Sequence, residues 1–452
     1  MRGCGFAGIG DTVEPTRWRP VCRYDERMAD ARASAPDAAA SGDFIRRGTP
    51  AFRRVNLALF AAGFATFGLL YCVQPLLPEF TRDYGVNEAV SALSLSLTTG
   101  VLAVAMLFAG AVSDAWGRKP IMVGSLVSSA ILVLISVAMP NWTSFLIVRA
   151  LLGLALSGLP AVAMTYLAEE MDIASIGLGM GLYISGNAIG GMSGRLIAGV
   201  LTDFVGWRAG VAVVAVIGVA CALAFWRLLP PSRHFTPQRV DRRALVARFS
   251  VIFHDRGLPW LFVEGFLLLG AFVTIYNYLG YRLLAPPYNL SQAIVGAIFA
   301  IYLIGTFSSP WVGHLAGKLG RRKVLWTMLA LILIGTLLTV MASLWAILLG
   351  VVVLTFGFFG GHSVVSSWVG RRAGAAKAHA SSLYLFCYYM GSSIAGACGG
   401  LFYASHGWNG VVVFVGAMAL LGLLIALGLY RLPPLPQNTA TPPTPMSQGA
   451  MP

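Results

Sequence analysis

Long apolar blocks alternate with short polar or basic connections along this chain. A membrane-spanning helix needs about 20 mostly apolar residues to cross a hydrocarbon core roughly 30 Å thick. Twelve blocks meet this requirement, and the Gly, Pro or single polar residues within them are tolerated where neighbouring helices cover the backbone. They cover residues 54–75, 89–111, 120–139, 143–167, 176–201, 208–229, 258–281, 292–313, 323–342, 344–369, 379–403 and 409–430. The pattern predicts an all-α polytopic membrane protein with twelve transmembrane helices.

Composition excludes the main soluble alternatives. The 452 residues are 57% hydrophobic and only 11% charged, whereas soluble chains carry about 25% charged residues. A water-soluble enzyme could not cover this much apolar surface. The net charge of +14 does not indicate a nucleic-acid partner, because the basic residues lie between the apolar blocks.

The predicted helices divide into two groups of six, separated by the longest connection. We expect residues 1–50, which lack an apolar run, to form a disordered cytoplasmic tail. The remaining predicted segments are a first six-helix bundle at 51–230, a basic cytoplasmic loop at 231–257, a second bundle at 258–431 and a Pro-rich cytoplasmic tail at 432–452.

Lys and Arg are distributed unevenly between the two sides of the predicted membrane. Connections that follow odd-numbered helices hold 3 of them, while the opposite side, from residue 46 onward, holds 21. Basic connections stay on the cytoplasmic side of a membrane. We therefore expect both termini to lie in the cytoplasm.

The two groups of helices resemble each other in sequence. The segment GAVSDAWGRK at Gly110–Lys119 recurs in part as GHLAGKLGRRK at Gly313–Lys323. Farther along, GWR at 206–208 matches GWN at 407–409, at a spacing of 201 residues. This near-constant spacing indicates duplication of a six-helix unit. Many secondary transporters are built from such repeats and bind their substrate where the repeats meet.

The loop G-x-x-x-D-x-x-G-R-K after the second helix, and its partial recurrence after the eighth, resemble the signature of the major facilitator superfamily. The resemblance extends over about residues 50–431. It implies the major facilitator fold, with twelve helices in two six-helix repeats, and secondary transport. The stretches YISGNAIGGMSGR, YNYLGYRL and FFGGHSVVSSWVGRRA are similar to the bacterial twelve-helix drug:proton antiporter branch, a group of inner-membrane exporters.

In the superfamily this loop latches the two halves together on the cytoplasmic side. Gly317 stands where the first copy has Asp114, so we expect an asymmetric latch that depends on Asp114. The alternative is a tight turn with a surface ion pair, worth at most about 1 kcal/mol. The residues that the resemblance assigns to the latch are Gly110, Asp114, Gly117, Arg118, Lys119, Gly313, Gly320 and Arg321.

The fifth helix carries Gly186, Gly190 and Gly194 at intervals of four, which allows a close approach by another helix. This stripe resembles the antiporter motif G-x-x-x-G-P-x-x-G-G. Two positions depart from it, because Gly191 replaces the expected Pro and Arg195 replaces the last Gly. The eleventh helix shows a similar stripe at Ser392, Gly396 and Gly400.

Three groups inside the predicted helices are candidates for proton coupling. Glu264 lies in an apolar run, where desolvation favours its protonated form, and the alternative is an ion pair with a loop arginine such as Arg256. Arg149 matches the superfamily's fourth-helix arginine, which is linked to coupling; alternatively it braces helices through backbone carbonyls. His362 is the third candidate, and the alternative for it is a hydrogen-bonded core histidine.

A substrate cavity is expected near the membrane midplane between the repeats. Aromatic faces there would suit amphiphilic or cationic ligands. For each residue the alternative is ordinary packing between helices. The candidates are Gln74, Asn187, Tyr276, Asn277, Tyr278, Tyr384, Tyr388 and Tyr389.

We therefore expect a secondary active transporter of the cell inner membrane that couples efflux of a small organic molecule to protons. An importer or facilitator of a solute such as a sugar or organic acid remains the alternative. An ATP-driven pump is excluded by the lack of a G-x-x-x-x-G-K-[ST] motif. We expect no enzymatic activity, cofactor or metal, a monomeric chain, and as partners the substrate, protons and the lipid bilayer.

Overall fold

Nearly every described residue lies in a helix. The structure is a computed structural model that describes residues 44–236, 250 and 252–431. We number its transmembrane helices α1 to α12. Their bounds are Pro50–Tyr84 (α1), Glu88–Trp116 (α2), Arg118–Ser136 (α3), Trp142–Glu170 (α4), 173–205 (α5), 207–228 (α6), Leu258–Leu284 (α7), Gln292–Leu319 (α8), Arg321–Leu338 (α9), Leu344–Arg372 (α10), 377–405 (α11) and 408–430 (α12).

Nine continuous helical stretches in the described part of the chain are long and apolar enough to cross a membrane. Two of them, Ile173–Leu228 and Lys377–Tyr430, would each extend roughly 80 Å as straight helices, far beyond a hydrocarbon core of roughly 30 Å. Each is broken by a glycine with positive φ, Gly206 at 80° and Gly407 at 58°, so each provides two crossings. With Arg321–Leu338, the total is twelve, and the predicted fold is confirmed.

The first helix is longer than predicted. The Thr49 side chain accepts a hydrogen bond from Phe52 N, and Pro50 occupies the first turn, which together start α1 earlier than expected. Pro75 neither ends nor interrupts the span. A 3₁₀ turn at Gln74–Leu76 accommodates its missing N–H, and the helix continues to Tyr84. The predicted bounds of 54–75 were therefore too short.

Close packing of α1 on α5 recurs between α7 and α11. A Cβ at Gly190 would overlap the Phe64 carbonyl of α1, and a Cβ at Gly391 would overlap the Phe266 carbonyl of α7. These pairs are related by the sequence repeat.

The stripe predicted on α11 faces a different neighbour. Gly400 meets Ala89 of α2, and Gly396 lies beside Ser96 of α2 and Asn277 of α7. It therefore contacts the other half of the molecule as well as its own.

Parts of the predicted tails and loop lie outside the described residues: 1–43, 237–249, 251 and 432–452. The end of the segment expected to be a tail is bonded to the α4–α5 connection. Ile45 N donates to Glu170 O at 2.9 Å, and Asp172 N donates to Ile45 O at 3.1 Å. Ile45 is therefore hydrogen-bonded to the first half, and the disorder of residues 1–50 stays a prediction.

Candidate substrate cavity

The two halves, α1–α6 and α7–α12, are joined at one end of the molecule. We call the end that carries the α6–α7 connection the linker side and the opposite end the far side. At the far side, the Tyr281 hydroxyl of α7 lies 2.7 Å from Thr81 Oγ1 and 2.6 Å from Ser91 Oγ. Nearer the middle, Ser393 Oγ of α11 donates to Ser96 O of α2 at 2.6 Å.

A second far-side connection joins α5 to the start of α8. The carboxylate of Asp203 accepts hydrogen bonds from Gln292 N at 3.2 Å and Ala293 N at 2.7 Å. An acidic group at a helix N-terminus is stabilised by the unpaired N–H groups and the helix dipole. Gly199 and Gly296 allow the two backbones to approach closely beside it.

Two groups of ion pairs between described residues at the linker side, by contrast, each stay within one half. Arg118 pairs with Asp114 and Glu169 of the first half, and Arg372 pairs with Asp255 beside α7 in the second. Deep in the bundle, three side chains remain partly exposed: Asn187, His362 and Tyr388. The hydrogen bonds described here therefore join the halves at the far side and near the middle, so we call the far side the closed end of the interface between the halves and the linker side its open end.

A polar chain crosses between the halves at the closed end of this space. Arg195 Nε of α5 donates to Gln74 Oε1 of α1 at 2.6 Å, and Gln74 Nε2 donates to Asn277 Oδ1 of α7 at 2.9 Å. Gln74 and Asn277 are 203 residues apart, which is the repeat spacing of the loop motif. Two predicted cavity residues are thus brought together by the duplication.

Aromatic rings surround the Arg195 guanidinium. Its Cζ lies 4.0 Å from the ring centroid of Tyr71, 4.5 Å from that of Tyr302 and 5.4 Å from that of Phe299. A guanidinium within about 6 Å of ring faces is attracted by their quadrupoles. This cluster joins α5 and α1 to α8, so both halves contribute to it.

The wall formed by the second half is also aromatic. The Tyr276 hydroxyl lies 2.8 Å from Thr355 Oγ1. His362 Nδ1 lies 2.9 Å from the Tyr384 hydroxyl, and the His362 ring centroid lies 4.6 Å from that of Tyr388. Three predicted cavity residues and one predicted coupling residue therefore lie along this wall.

The remaining cavity candidates have packing contacts. Tyr278 donates its hydroxyl to Gly396 O at 2.8 Å and stacks on Tyr403, so it lies between α7 and α11. Asn187 lies against Gly63 of α1. Tyr389 is buried next to Tyr388, with ring centroids 5.4 Å apart.

Glu264 is fully buried, and neither carboxyl oxygen has a hydrogen-bond partner among the described residues. It lies inside the second half, beside Gly422 of α12. It forms no ion pair with any described residue, and Arg256 is exposed. The alternative of a Glu264–Arg256 pair was wrong, because α7 continues inward and carries Glu264 away from the loop.

Arg149 is also fully buried, but backbone carbonyls surround it. Its Nε donates to Ser94 O of α2 at 2.7 Å, and its Nη2 donates to Leu70 O of α1 at 3.0 Å. Gly153 allows α4 to approach α2 closely at the next turn. This geometry matches the bracing alternative, and a role in coupling stays a prediction.

In the latch motif, Arg118 connects three elements at the linker side. Its Nη1 lies 2.5 Å from Asp114 Oδ1, and its Nη2 and Nε bind both oxygens of Glu169 at the end of α4, at 2.7 and 3.0 Å. Lys119 Nζ donates to Leu229 O at the end of α6. In this conformation the motif therefore binds elements of its own half.

The second copy has the same turn and fewer bonds. Gly117 and Gly320 have φ values of 96° and 90°, a region that favours glycine. Arg321 Nε lies 3.5 Å from Ser367 Oγ, at the limit of a hydrogen bond. A Cβ at Gly110 would meet no described atom within 4 Å, and a Cβ at Gly313 would meet Ser363 Oγ at 3.2 Å.

Sequence reasoning missed two groups that the structure places at the centre. Tyr71 and Tyr302 contact Arg195, although their helices have the pattern of ordinary apolar spans. Arg195 itself was noted only as a departure from a motif. A guanidinium inside an apolar helix was the signal that pointed to a functional position.

Taken together, twelve helices in two repeats, with polar side chains where the repeats meet, have the architecture of a polytopic transporter. Comparison with known proteins agrees: residues 59–288 and 267–448 match the Major Facilitator Superfamily. The chain belongs to this superfamily and is a membrane transporter.

Close relatives cover most of its length. It is 52% identical to the inner membrane transport protein YnfM of Escherichia coli over 86% of this chain and 93% of that protein. It is 46% identical to the uncharacterized MFS-type transporter YybF of Bacillus subtilis over 87% of this chain and 98% of that protein. The crystal structure of the nucleoside transporter NupG has the same fold, with a TM-score of 0.71 at 16% identity over 83% of this chain and 100% of that one.

Proposed function

We propose that this chain exports a small organic molecule in exchange for protons by alternating access. The observation that carries the proposal is the asymmetry of the interface. The halves are hydrogen-bonded to each other at the far side, whereas the linker-side ion pairs stay within one half, around a polar cavity. Transporters with repeated halves work by rocking one half against the other around a central site.

The proposed orientation places the linker side and both termini in the cytoplasm. It rests on the 21 Lys and Arg residues on that side against 3 on the other. The relative from Escherichia coli is named an inner membrane protein, and we extend that location to this chain as a monomer. The structure then corresponds to an inward-facing conformation that takes substrate from the cytoplasm.

Glu264 is our candidate for the proton carrier. A buried carboxyl without a hydrogen-bond partner or a cation is tolerated in its neutral form, because an isolated charge there is costly. Tyr384 lies against Gly265, the chain neighbour of Glu264, and its hydroxyl lies 2.9 Å from His362 Nδ1. The proposed route of protons to Glu264 therefore passes Tyr384 and His362.

The test uses purified full-length protein in liposomes with an imposed pH gradient and a pH-sensitive dye. The compounds added are aromatic carboxylates, amphiphilic cations and sugars. We expect protein-dependent collapse of the gradient with at least one of them. Glu264→Gln should abolish the collapse while leaving binding of that compound intact.

Glu79→Gln is the matched control, because Glu79 lies at the far side and pairs with Arg82 on the surface. It should behave like the unaltered protein. Transport of a compound independently of the pH gradient in the unaltered protein, Glu264→Gln and Glu79→Gln would favour the facilitator or importer alternative. Glu264 would then be a structural residue.

A further inference from the structure

Arg195 carries a positive charge in the interior of the helical bundle without a carboxylate beside it. The residue is 2% exposed, and none of the ion pairs among the described residues includes it. Glu264, buried in the opposite half, is unpaired among these residues as well. A buried charge without a counter-charge is costly, so this position needs an explanation.

The hydrogen bonds of Arg195 leave donors unused. Nε donates to Gln74 Oε1, and Nη1 donates to Gly191 O at 2.6 Å. Nη2 makes no hydrogen bond with any described residue, yet it is not among the fully enclosed polar atoms. Nη2 therefore keeps its donors unused at the place where the two halves meet.

The groups around this edge are also unpaired donors. The Tyr302 hydroxyl is buried without a partner in the described part of the chain. The Tyr71 hydroxyl forms no hydrogen bond with any described residue, and the ring centroids of Tyr71 and Tyr302 lie 4.0 and 4.5 Å from the Arg195 Cζ. One guanidinium and two tyrosines with unpaired hydroxyls therefore lie together.

Arg149, the other arginine buried within the membrane-spanning helices, has a different environment from that of Arg195. Its bonds go to two backbone carbonyls, and the atom left over, Nη1, is enclosed by protein. Arg149 thus donates to two helices of the first half, whereas Arg195 lies between aromatic rings of both halves.

We propose that Arg195, together with Tyr71 and Tyr302, binds the carboxylate of an organic anion. This inference rests on the proposed function, since it takes the cavity as the transport site. A carboxylate fits because two adjacent N–H groups of a planar guanidinium match its two oxygens. The single cation favours a single negative charge, and the aromatic wall favours an apolar or aromatic body.

A cationic ligand is disfavoured by the same geometry. The ring faces of Tyr71 and Tyr302, which could bind an organic cation, are already occupied by the protein's own guanidinium. The expectation from the sequence of an amphiphilic or cationic ligand stays a prediction, while Arg195 favours an anion at this position.

The test measures the thermal midpoint of the full-length protein in nanodiscs with benzoate, benzamide or benzylammonium at equal concentrations. These probes differ in charge and little in shape. We expect benzoate to raise the midpoint, benzamide to raise it less and benzylammonium to have no effect. Arg195→Gln should weaken benzoate binding roughly 10-fold or more, because a charge-assisted hydrogen bond is lost, so that benzoate acts no better than benzamide.

Two further variants keep the test decisive. Arg208→Gln removes a far-side arginine that pairs with Asp83 and should leave benzoate binding unchanged. If Arg195→Gln does not fold, Tyr302→Phe retains the ring and removes the unpaired hydroxyl, and should weaken benzoate binding about fivefold. The proposal is overturned if benzoate and benzamide stabilise the unaltered protein equally, or if benzoate binding survives both cavity substitutions.

Failure of this inference is distinguishable from failure of the proposed function. Charge-selective binding of benzoate without any proton-coupled flux would retain the anion site and reject the exchange mechanism. Proton-coupled flux of an amphiphilic cation, without selectivity for benzoate, would retain the exchange mechanism and reject the anion site.

Discussion

The α2–α3 loop and the α8–α9 loop have the same backbone turn and different charges. Gly117 and Gly320 adopt nearly equal φ values, and an arginine follows each of them. In the first loop Arg118 binds Asp114 and both oxygens of Glu169. In the second loop Arg321 has a long contact with Ser367.

The repeat spacing explains the difference. The residue 203 positions after Asp114 is Gly317, and the residue 203 positions after Glu169 is Arg372. Arg372 cannot pair with Arg321 and instead binds Asp255, with 2.5 Å between Nε and Oδ1. Both copies of the loop thus have the same backbone turn, whereas the ion pairs with Asp114 and Glu169 belong to the first copy.

The same contrast holds inside the bundle. Within the membrane-spanning helices, away from the loops, the first half holds the buried cations Arg149 and Arg195, and the second holds the buried acid Glu264. At the repeat spacing of 201, the counterpart of Arg195 is Gly396, which leaves room for α2. Equal backbones therefore carry unequal charges, and the anion site that we propose exists in one copy.

The largest expected effect tests the close helix packing that both halves have, α1 on α5 and α7 on α11. Gly190→Ala and Gly391→Ala should each destabilise the protein by about 3 kcal/mol, because each new methyl group meets a backbone carbonyl that cannot move aside. Thermal midpoints and the yield of folded protein measure this. Gly181→Ala, which has no described neighbour within 4 Å, should be neutral. A strong effect in only one half would show that the two helix pairs are not packed alike.

The second largest expected effect tests the difference in ion pairs between the α2–α3 loop and the α8–α9 loop. Arg118→Gln leaves two carboxylates without their cation and should cost about 2 kcal/mol, less than a fully buried pair because both acids are partly exposed. Arg321→Gln in the second loop should cost under about 1 kcal/mol. Equal shifts of the thermal midpoint in the two variants would contradict the asymmetry described here.

A smaller effect concerns the far-side closure. Asp203→Ala removes the cap on α8 and should shift the balance towards a far-side-open conformation by about 1 kcal/mol. Spin labels at Arg82 and Ser405 in a cysteine-free background measure the separation of the halves. Asp83→Ala, whose partner Arg208 lies in the same half, should leave that distance unchanged. An unchanged distance distribution in Asp203→Ala would show that this contact does not help to hold the far side closed.

The smallest effect is a dependence on pH at the linker side. Partial burial raises the pKa of Asp255, but Arg372 and the N–H groups of Gly257 and Leu258 outweigh this, so its pKa lies below its usual value. The pair therefore stabilises the fold above about pH 4, the unfolded value, and is lost as the pH falls through the lower folded value. The midpoint difference between the unaltered protein and Asp255→Asn should shrink on acidification. A difference that grows in acid would reverse the sign of this pKa shift.

The candidate site was predictable in parts. Gln74 and Asn277 were singled out as polar residues in apolar helices, and the structure adds that they bind each other. Glu264 was recognised as an intramembrane acid, but the absence of any described hydrogen-bond partner depends on the helices packed around it, among them α12 at Gly422. The roles of Glu264, Arg149 and His362 in coupling stay predictions.

The sequence by itself determined the number of helices and the repeat. In a bilayer every backbone N–H and C=O must be bonded within its own segment, so the length of each apolar block is enough to define a crossing. Only the tertiary structure decided which end of the cavity is closed and which arginine is left with free donors. Both depend on contacts between side chains of the two halves, such as those of Tyr71 and Tyr302 with Arg195. These residues are far apart in the sequence, so the pattern of apolar and polar positions does not predict their contact.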